Sequence, residues 1–301
     1  MLNLLFNPIF PIFAVLGIGF MLQRRGTFDV DSAKAINRFV FSVATPALLF
    51  SIISRLADAS MDLALLGIYF SVECVVYTSI FFVAFKGFKR DAKESALLGM
   101  TACFVNHVFF VLPIAQRIYG DSVSEPIASI ILIDAFIFCF TTLLMDMLGS
   151  KPKSATTTLL KLTKNPFLIA CMLGMASWSV PDLIPGSVMT YVHFVGAAAA
   201  PASLFALGVV LASHPVTPVE PTTWAVVLSK VALHPLLFLV AAGMMQTPIE
   251  QSNIALLVAA GPCGAMPFVI ALQYGVPTNA ITKAIILSTV ITLFTLAALT
   301  A

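Results

Sequence analysis

The sequence predicts an all-α integral membrane protein of ten transmembrane helices, arranged as two five-helix repeats of opposite orientation with broken helices four and nine crossing. Composition is the first reason. The 301 residues are 59% hydrophobic and 10% charged, with a mean hydropathy of +1.01, more apolar surface than a water-soluble globule can cover. The second is that Lys and Arg gather in three loops, and the third is that proline-centred motifs recur half a chain apart.

A hydrocarbon core of about 30 Å demands roughly 20 apolar residues per helix. Ten windows approach that demand: 5 to 22, 36 to 54, 61 to 84, 96 to 118 and 126 to 148, then 166 to 180, 188 to 211, 224 to 244, 253 to 273 and 280 to 299. Residues 1–148 thus hold the first five-helix repeat, 149–165 a short cytoplasmic linker, and 166–301 the second, inverted repeat. The opening MLNLLFNPIF has no basic leader, and the first Lys or Arg is Arg24, so span one is expected to stay in the membrane. Cys74, Cys103, Cys139, Cys171 and Cys263 are odd in number and lie in apolar runs, which reads as small core residues rather than a disulfide framework.

Orientation follows from the basic residues. Arg24, Arg25, Lys34 and Arg38 surround the loop after span one, Lys86, Lys89, Arg90 and Lys93 the loop after span three, and Lys151, Lys153, Lys161 and Lys164 the loop after span five. Twelve of the sixteen Lys and Arg are accounted for there, while the loops of the other face offer only Arg55 and Arg117, so the basic loops belong in the cytoplasm. Both termini then lie outside the cytoplasm, on a multi-pass protein of the inner (plasma) membrane. Trp178, Trp224, Tyr119, Tyr191 and Tyr274 fall at span ends, where interfacial aromatics belong.

The halves repeat. ATPALLF (Ala44 to Phe50) in span two matches AAPASLF (Ala199 to Phe205) in span seven at an offset of 155. Asn7-Pro8 and Leu16-Gly17 in span one answer to Asn165-Pro166 and Leu173-Gly174 in span six. Pro113 in VLPIAQRIYG answers to Pro267 in MPFVIALQYG at an offset of 154. A unit of five spans reverses its direction when repeated, which gives the inverted repeat found in secondary transporters.

Span nine carries GPCGAMPFVIALQYG, with Pro262, Gly264 and Pro267 inside an apolar run, and span four carries FVNHVFFVLP, with Asn106 and His107 ahead of Pro113. Proline costs about 3 kcal/mol in a helix interior and glycine about 1. A break repeated in both halves therefore points to interrupted helices whose ends and free backbone groups line a cavity near the midplane. Two half-helix N-termini facing one point favour an anion by about 0.3–1 kcal/mol each. Asn106, His107, Pro113, Pro262, Cys263, Gly264 and Pro267 are the substrate-binding candidates; the bland alternative is a pair of packing kinks.

Ionisable groups inside spans are few, and each costs about 2.5–3.5 kcal/mol on insertion scales. Glu73, Asp134 and Lys230 are the proton-coupling candidates, one carboxylate exchanging a proton with Lys230 as counter-charge. Equally open are a structural hydrogen bond for either acid and, for Lys230, an ammonium reaching to the cytoplasmic interface. His193 and His234 carry no clear signal.

An intramembrane enzyme would need a dense polar constellation such as His-Glu-x-x-His, and none is present; Asp29-Val30-Asp31 reads as a helix start. A cation antiporter would want adjacent carboxylates in spans four and nine, which have none there. An organic solute is favoured over another solute carried by cation or proton coupling. The basic loops are short and topological in origin, so no nucleic acid is expected, and no cofactor or metal is called for.

These motifs resemble the auxin efflux carrier family, which includes the plant PIN auxin carriers and bacterial relatives. The resemblance covers essentially the whole chain and is most specific over PCGAMPFVIALQYGV, Pro262 to Val276, with Asn106 and Pro113 similar to the fourth helix and TPALLF and SLFALG to the second and seventh. It implies a scaffold of spans one, two, six and seven beside a moving transport domain that contains the crossing of spans four and nine, an elevator-type arrangement. Pro46 and Pro201 would line the scaffold side. It also implies a small organic anion as substrate, an auxin-like carboxylate in plants and a malonate- or malate-like dicarboxylate in bacteria. Besides that anion, membrane lipid and, through the scaffold helices, a second copy of the chain are the expected partners. Only seventeen residues, Gly149 to Asn165, stand where plant carriers have a long hydrophilic loop, and Gln273 stands where they often carry a charge, so a bacterial member is the better match.

Overall fold

Backbone N–H and C=O groups inside a bilayer have no water to bond, so a chain this apolar can cross only as helices or a closed barrel. In the computed structural model it is helical, and residues 2–58, 62–149, 157, 160, 162–180, 184–213, 218–247 and 249–299 are described. Much of the expected linker 149–165, with Lys151, Lys153 and Lys161, and also Ala301 lie outside the described residues.

The first half runs through α1 (Leu2–Arg24), α2 (Val30–Phe39), α3 (Thr45–Ile53), α4 (Leu63–Phe82), α5 (Ala92–Cys103), α6 (Leu112–Tyr119) and α7 (Ser124–Met147). The second runs through α8 (Pro166–Ala176), α9 (Gly186–Gly196), α10 (Ala199–Ser213), α11 (Pro221–Leu228), α12 (His234–Met244), α13 (Ile249–Ala259), α14 (Met266–Tyr274) and α15 (Asn279–Leu299). Wider π-type turns at Val40–Ala44, His107–Val111 and Ser229–Leu233 lead into α3, α6 and α12. Each is followed by a proline, Pro46, Pro113 or Pro235, whose ring would collide with the carbonyl four residues back, at Ser42, Phe109 or Val231. That carbonyl lies inside the wide turn, where the ladder is already loosened, so the helix bends through instead of ending.

Among the described residues, five helical runs are long and apolar enough to cross a membrane: Val30–Leu56, Leu63–Gly87, Asp121–Met147, Gly186–Ser213 and Pro221–Met244. Phe10–Arg24, Pro166–Ser179 and Asn279–Thr292 are apolar but shorter. The run at Val30 starts earlier than the window beginning at residue 36, because polarity in the first turn hides the helix from an apolar count. Asp29 opens it, accepting from the Ser32 hydroxyl at 2.6 Å and its N–H at 2.7 Å, which holds the Asp29 carboxyl below the usual carboxylate range. Asn165 caps α8 in the same way, accepting from Phe167 N–H at 2.9 Å.

Two packed groups emerge. In one, α1 lies along α10 and α3 packs on α8 and α9; in the other, α5 packs against α4, α7 and α14. The α1–α10 contact is backbone on backbone: a Cβ at Gly19 would strike Phe205 O, and one at Gly208 would strike Leu16 O. Glycine's missing side chain is what permits that approach. Trp178 Nε1 donates to Ile53 O at 2.9 Å, fastening α8 to α3 at the other end of the same group.

Gly208→Val must push α1 away and should destabilise the protein by about 1–3 kcal/mol, an overpacking cost. Thermal unfolding in detergent measures it; a midpoint equal to the parent's would mean that the two helices are not held at backbone contact.

Candidate functional site

The non-helical residues lie just upstream of the prolines. α5 stops at Cys103, Phe104 turns extended, and the next helical turn begins at His107; α13 stops at Ala259 and α14 begins at Met266. The two gaps pair with each other. Val105 and Cys263 form an antiparallel bridge, with Asn106 N–H donating to Pro262 O at 2.9 Å and Gly264 N–H to Phe104 O at 2.8 Å. A Cβ at Gly264 would lie 2.6 Å from the Phe104 ring and 2.8 Å from Val105 O, so the strands meet only because Gly264 has none. Pro267 sits in the first turn of α14, where an N–H has no helical partner to lose, Pro113 follows the wide turn His107–Val111, and Pro262 lies in the gap itself. Much of the backbone expected to point free into a cavity is thus mutually bonded.

Two charges of opposite sign complete that pairing. Lys230 is fully buried, and its ammonium donates to Cys103 O at 3.3 Å and Ala259 O at 3.0 Å, the last carbonyls of α5 and α13. One cation therefore serves the negative ends of both half-helices. Its Nζ also lies 2.8 Å from His234 Nδ1, in hydrogen-bonding contact. Interfacial snorkelling is ruled out by this geometry.

Asp134, fully buried on α7, takes the opposite pole. Its Oδ2 accepts from Val105 N–H at 3.3 Å and lies 3.0 Å from His107 Nε2, without the alignment of a hydrogen bond to the ring. Glu73 on α4, also fully buried, lies close enough to Asp134 and Lys230 for their charges to act on it, while neither of its carboxyl oxygens has a hydrogen-bond partner among the described residues. The three ionisable candidates thus converge behind the bridge.

In front of it is a cavity of about 30 Å³, room for roughly two waters, lined by Phe104, Asn106, His107 and Gly264 on the bridge side and by Phe41, Thr45 and Phe167 opposite. Asn106 is 9% exposed and its side-chain amide makes no hydrogen bond among the described residues, so it stands ready for a ligand. Pro46 is half-buried beside Thr45; Pro201 is exposed and does not line the cavity, nor do Pro113, Pro262, Cys263 or Pro267. Sequence reasoning passed over His234, although its four-residue spacing from Lys230 on a helix is a readable signal. It also passed over Phe41 and Phe167, which no pattern marks, and over Thr45, although it stands in the ATPALLF motif beside Pro46. His193 meets Ser51 Oγ and Arg55 at 3.0 Å each, away from the bridge.

The sequence model of the family described as membrane transport protein matches residues 4–156 and 150–300. The chain belongs to this family, that of the auxin efflux carriers. It is therefore a membrane transporter rather than an enzyme. Among relatives of this auxin efflux carrier chain, the "Putative malonate transporter" of Rhizobium meliloti (strain 1021) is 26% identical, covering 97% of this chain and 93% of its own. The "Uncharacterized transporter YfdV" of Escherichia coli (strain K12) is 28% identical, covering 96% and 94%. "Auxin efflux carrier component 8" of Arabidopsis thaliana is 23% identical, covering 94% and 93%.

Lys230→Met removes the donor to two buried carbonyls, at about 1–3 kcal/mol each. A fall of several degrees in the thermal midpoint is expected, read with a thiol-reactive dye because Cys103, Cys171 and Cys263 are buried and free. An unchanged midpoint would mean that the half-helix ends find other donors.

Proposed function

We propose that the protein carries a small organic anion, a malonate- or malate-like dicarboxylate or an auxin-like carboxylate, across the inner (plasma) membrane by elevator-type alternating access. The observation that carries this reading is the unpaired amide of Asn106 at a cavity between two paired helix gaps and the opposing Phe41, Thr45 and Phe167. An amide donates two hydrogen bonds to a carboxylate while staying neutral, which avoids the insertion cost of a buried arginine. At about 30 Å³ the cavity has room for roughly two waters, so a dicarboxylate enters only if the elements facing Asn106 move apart. The names of the Rhizobium and Arabidopsis relatives point to the same solute class.

The ten-span inverted repeat, with a scaffold of α1–α3 and α8–α10 and the remaining helices moving, is supported by which ends touch. Arg90 pairs with Glu220, Lys283 Nζ donates to Pro218 O at 2.7 Å, and Tyr274 Oη donates to Asp146 at 2.9 Å, all joining ends that the basic loops assign to the cytoplasm. Arg55 with His193, and Gln116 with Ser124 at 3.0 Å, join ends assigned outside. Glu73, Asp134 and Lys230 are proposed as the coupling groups, and the scaffold as the surface meeting lipid and a second copy.

A reporter fused at the C-terminus should register outside the cytoplasm; a cytoplasmic signal would sink the ten-span topology and its inversion.

Asn106→Ala should weaken solute binding by about 1–3 kcal/mol, roughly 5- to 150-fold, while leaving the protein folded. Solute-induced thermal stabilisation by malonate, malate and indole acetate measures it. If the variant responds as the parent does, the solute binds elsewhere.

A further inference from the structure

The polar side chains lining the cavity are Asn106 and His107 on the bridge wall and Thr45 on the wall opposite. His107 Nε2 has Asp134 Oδ2 at 3.0 Å. Asn106 and Thr45 have no such neighbour. The Asn106 amide makes no hydrogen bond among the described residues, and Thr45, only 3% exposed, holds a buried Oγ1 that has no partner among them either. A buried hydroxyl left unpaired is destabilising, and valine would fill nearly the same volume without that loss.

The local chain explains how the hydroxyl comes to be free. Threonines in the helices of this protein turn back to the carbonyl four residues earlier: Thr101 bonds Leu97 O at 2.6 Å, Thr142 bonds Phe138 O at 2.9 Å, and Thr289 bonds Ile285 O at 2.7 Å. For Thr45 that carbonyl belongs to Phe41, inside the wide turn Val40–Ala44, and its own N–H donates five residues back, to Val40 O. The ladder has slipped by one carbonyl, and Oγ1 makes no bond to Phe41 O. Thr223, Ser229 and Thr292 also have buried hydroxyls without a partner, but none of them lines the cavity. Two unpaired neutral groups thus stand on opposite walls of one small space.

We propose that Thr45 is a substrate-binding residue that bonds a second polar group of the solute, so that the site takes a short acid polar at both ends over one with an apolar tail. This rests on the anion reading above and adds to it the residue that separates dicarboxylates from apolar-tailed monocarboxylates. Asn106 donates both of its amide hydrogens to one carboxylate. The Thr45 hydroxyl, with one donor and two acceptor lone pairs, meets the other end of the solute, whether that end is a carboxylate or a hydroxyl. When the walls part to admit an apolar tail, that hydroxyl stays buried against it and unpaired. A site built to bond a polar group discriminates strongly against the analogue that lacks it.

The test is calorimetric titration of the full-length protein in detergent at one fixed pH, with malonate against propionate and malate against butyrate, pairs equal in carbon number. The parent should bind the dicarboxylate of each pair about 5- to 150-fold more tightly. Thr45→Val should weaken malonate and malate to near their partners and leave propionate and butyrate unchanged. Its solute-free thermal midpoint should be no lower than the parent's, because the hydroxyl it loses has no partner. Thr45→Ser, which keeps the hydroxyl, should keep the preference. Should the valine variant not fold, Thr45→Ala takes its place, and the parent's own preference is measured without any variant. A parent that binds propionate as tightly as malonate overturns the proposal, as does a valine variant that keeps the parent's malonate-to-propionate ratio, a serine variant that loses it, or a lowered solute-free midpoint, which marks a structural hydroxyl. Each of these leaves the anion reading standing. If neither these four acids nor indole acetate binds the parent, the anion reading falls and this proposal with it.

Discussion

Everything near the centre of this protein answers to one constraint: two stretches of backbone leave the helix where there is little water to satisfy them. An unpaired buried N–H or C=O costs about 1–3 kcal/mol, and each gap exposes several. The Val105–Cys263 bridge pairs four of these groups directly, through Asn106 with Pro262 and Gly264 with Phe104. Ser288 Oγ accepts from Cys263 N–H at 3.0 Å, Asp134 accepts from Val105 N–H, and Lys230 serves the carbonyls of Cys103 and Ala259. Remove the gaps and neither buried charge has a reason to be there.

The same constraint makes the site electrically organised. A cation stands where two helices end and an anion where the next helical turn begins, each at the pole that favours it. The positive ends that the sequence reading offered to a solute are consequently partly answered by the protein itself. Selectivity for a negative solute then cannot rest on bare helix dipoles, and the neutral amide of Asn106 gains weight as the group that meets it.

Composition and the apolar windows made the helical, membrane-crossing fold legible, because burial of apolar surface acts residue by residue along the chain. The interruptions were legible as a region through Pro113, Pro262 and Pro267, but their limits were not: Pro262 lies in its gap, Pro267 in the first turn of the restarted helix, and Pro113 beyond the wide turn with which the helix resumes at His107. Glu73, Asp134 and Lys230 stood out because charge is rare in spans, yet nothing in the sequence says that Lys230 reaches two carbonyls at once. That depends on α5 and α13 ending side by side, a tertiary fact. Phe41 and Phe167 were invisible for the same reason, since a phenylalanine lining a cavity and one facing lipid look alike in one dimension. His234 was overlooked although its spacing from Lys230 was in view.

On the proposed division into scaffold and moving helices, ring contacts join the two bodies. Phe41 meets Phe109 edge-on at 6.0 Å, Phe138 meets Phe167 at 5.9 Å, and Phe13 meets Phe294 at 6.3 Å. The hydrogen bonds named above, from Trp178 to Ile53 and from Lys230 to its carbonyls, run inside one body or the other, and glycine locks α1 to α10 within the scaffold. On that proposal, contacts of this apolar kind along the seam, given up on one side of a small slide, re-form on the other, since dispersion attraction is non-directional. Friction along such a seam is low while each body stays stiff, which is the mechanical condition for moving a buried charge cluster as one piece.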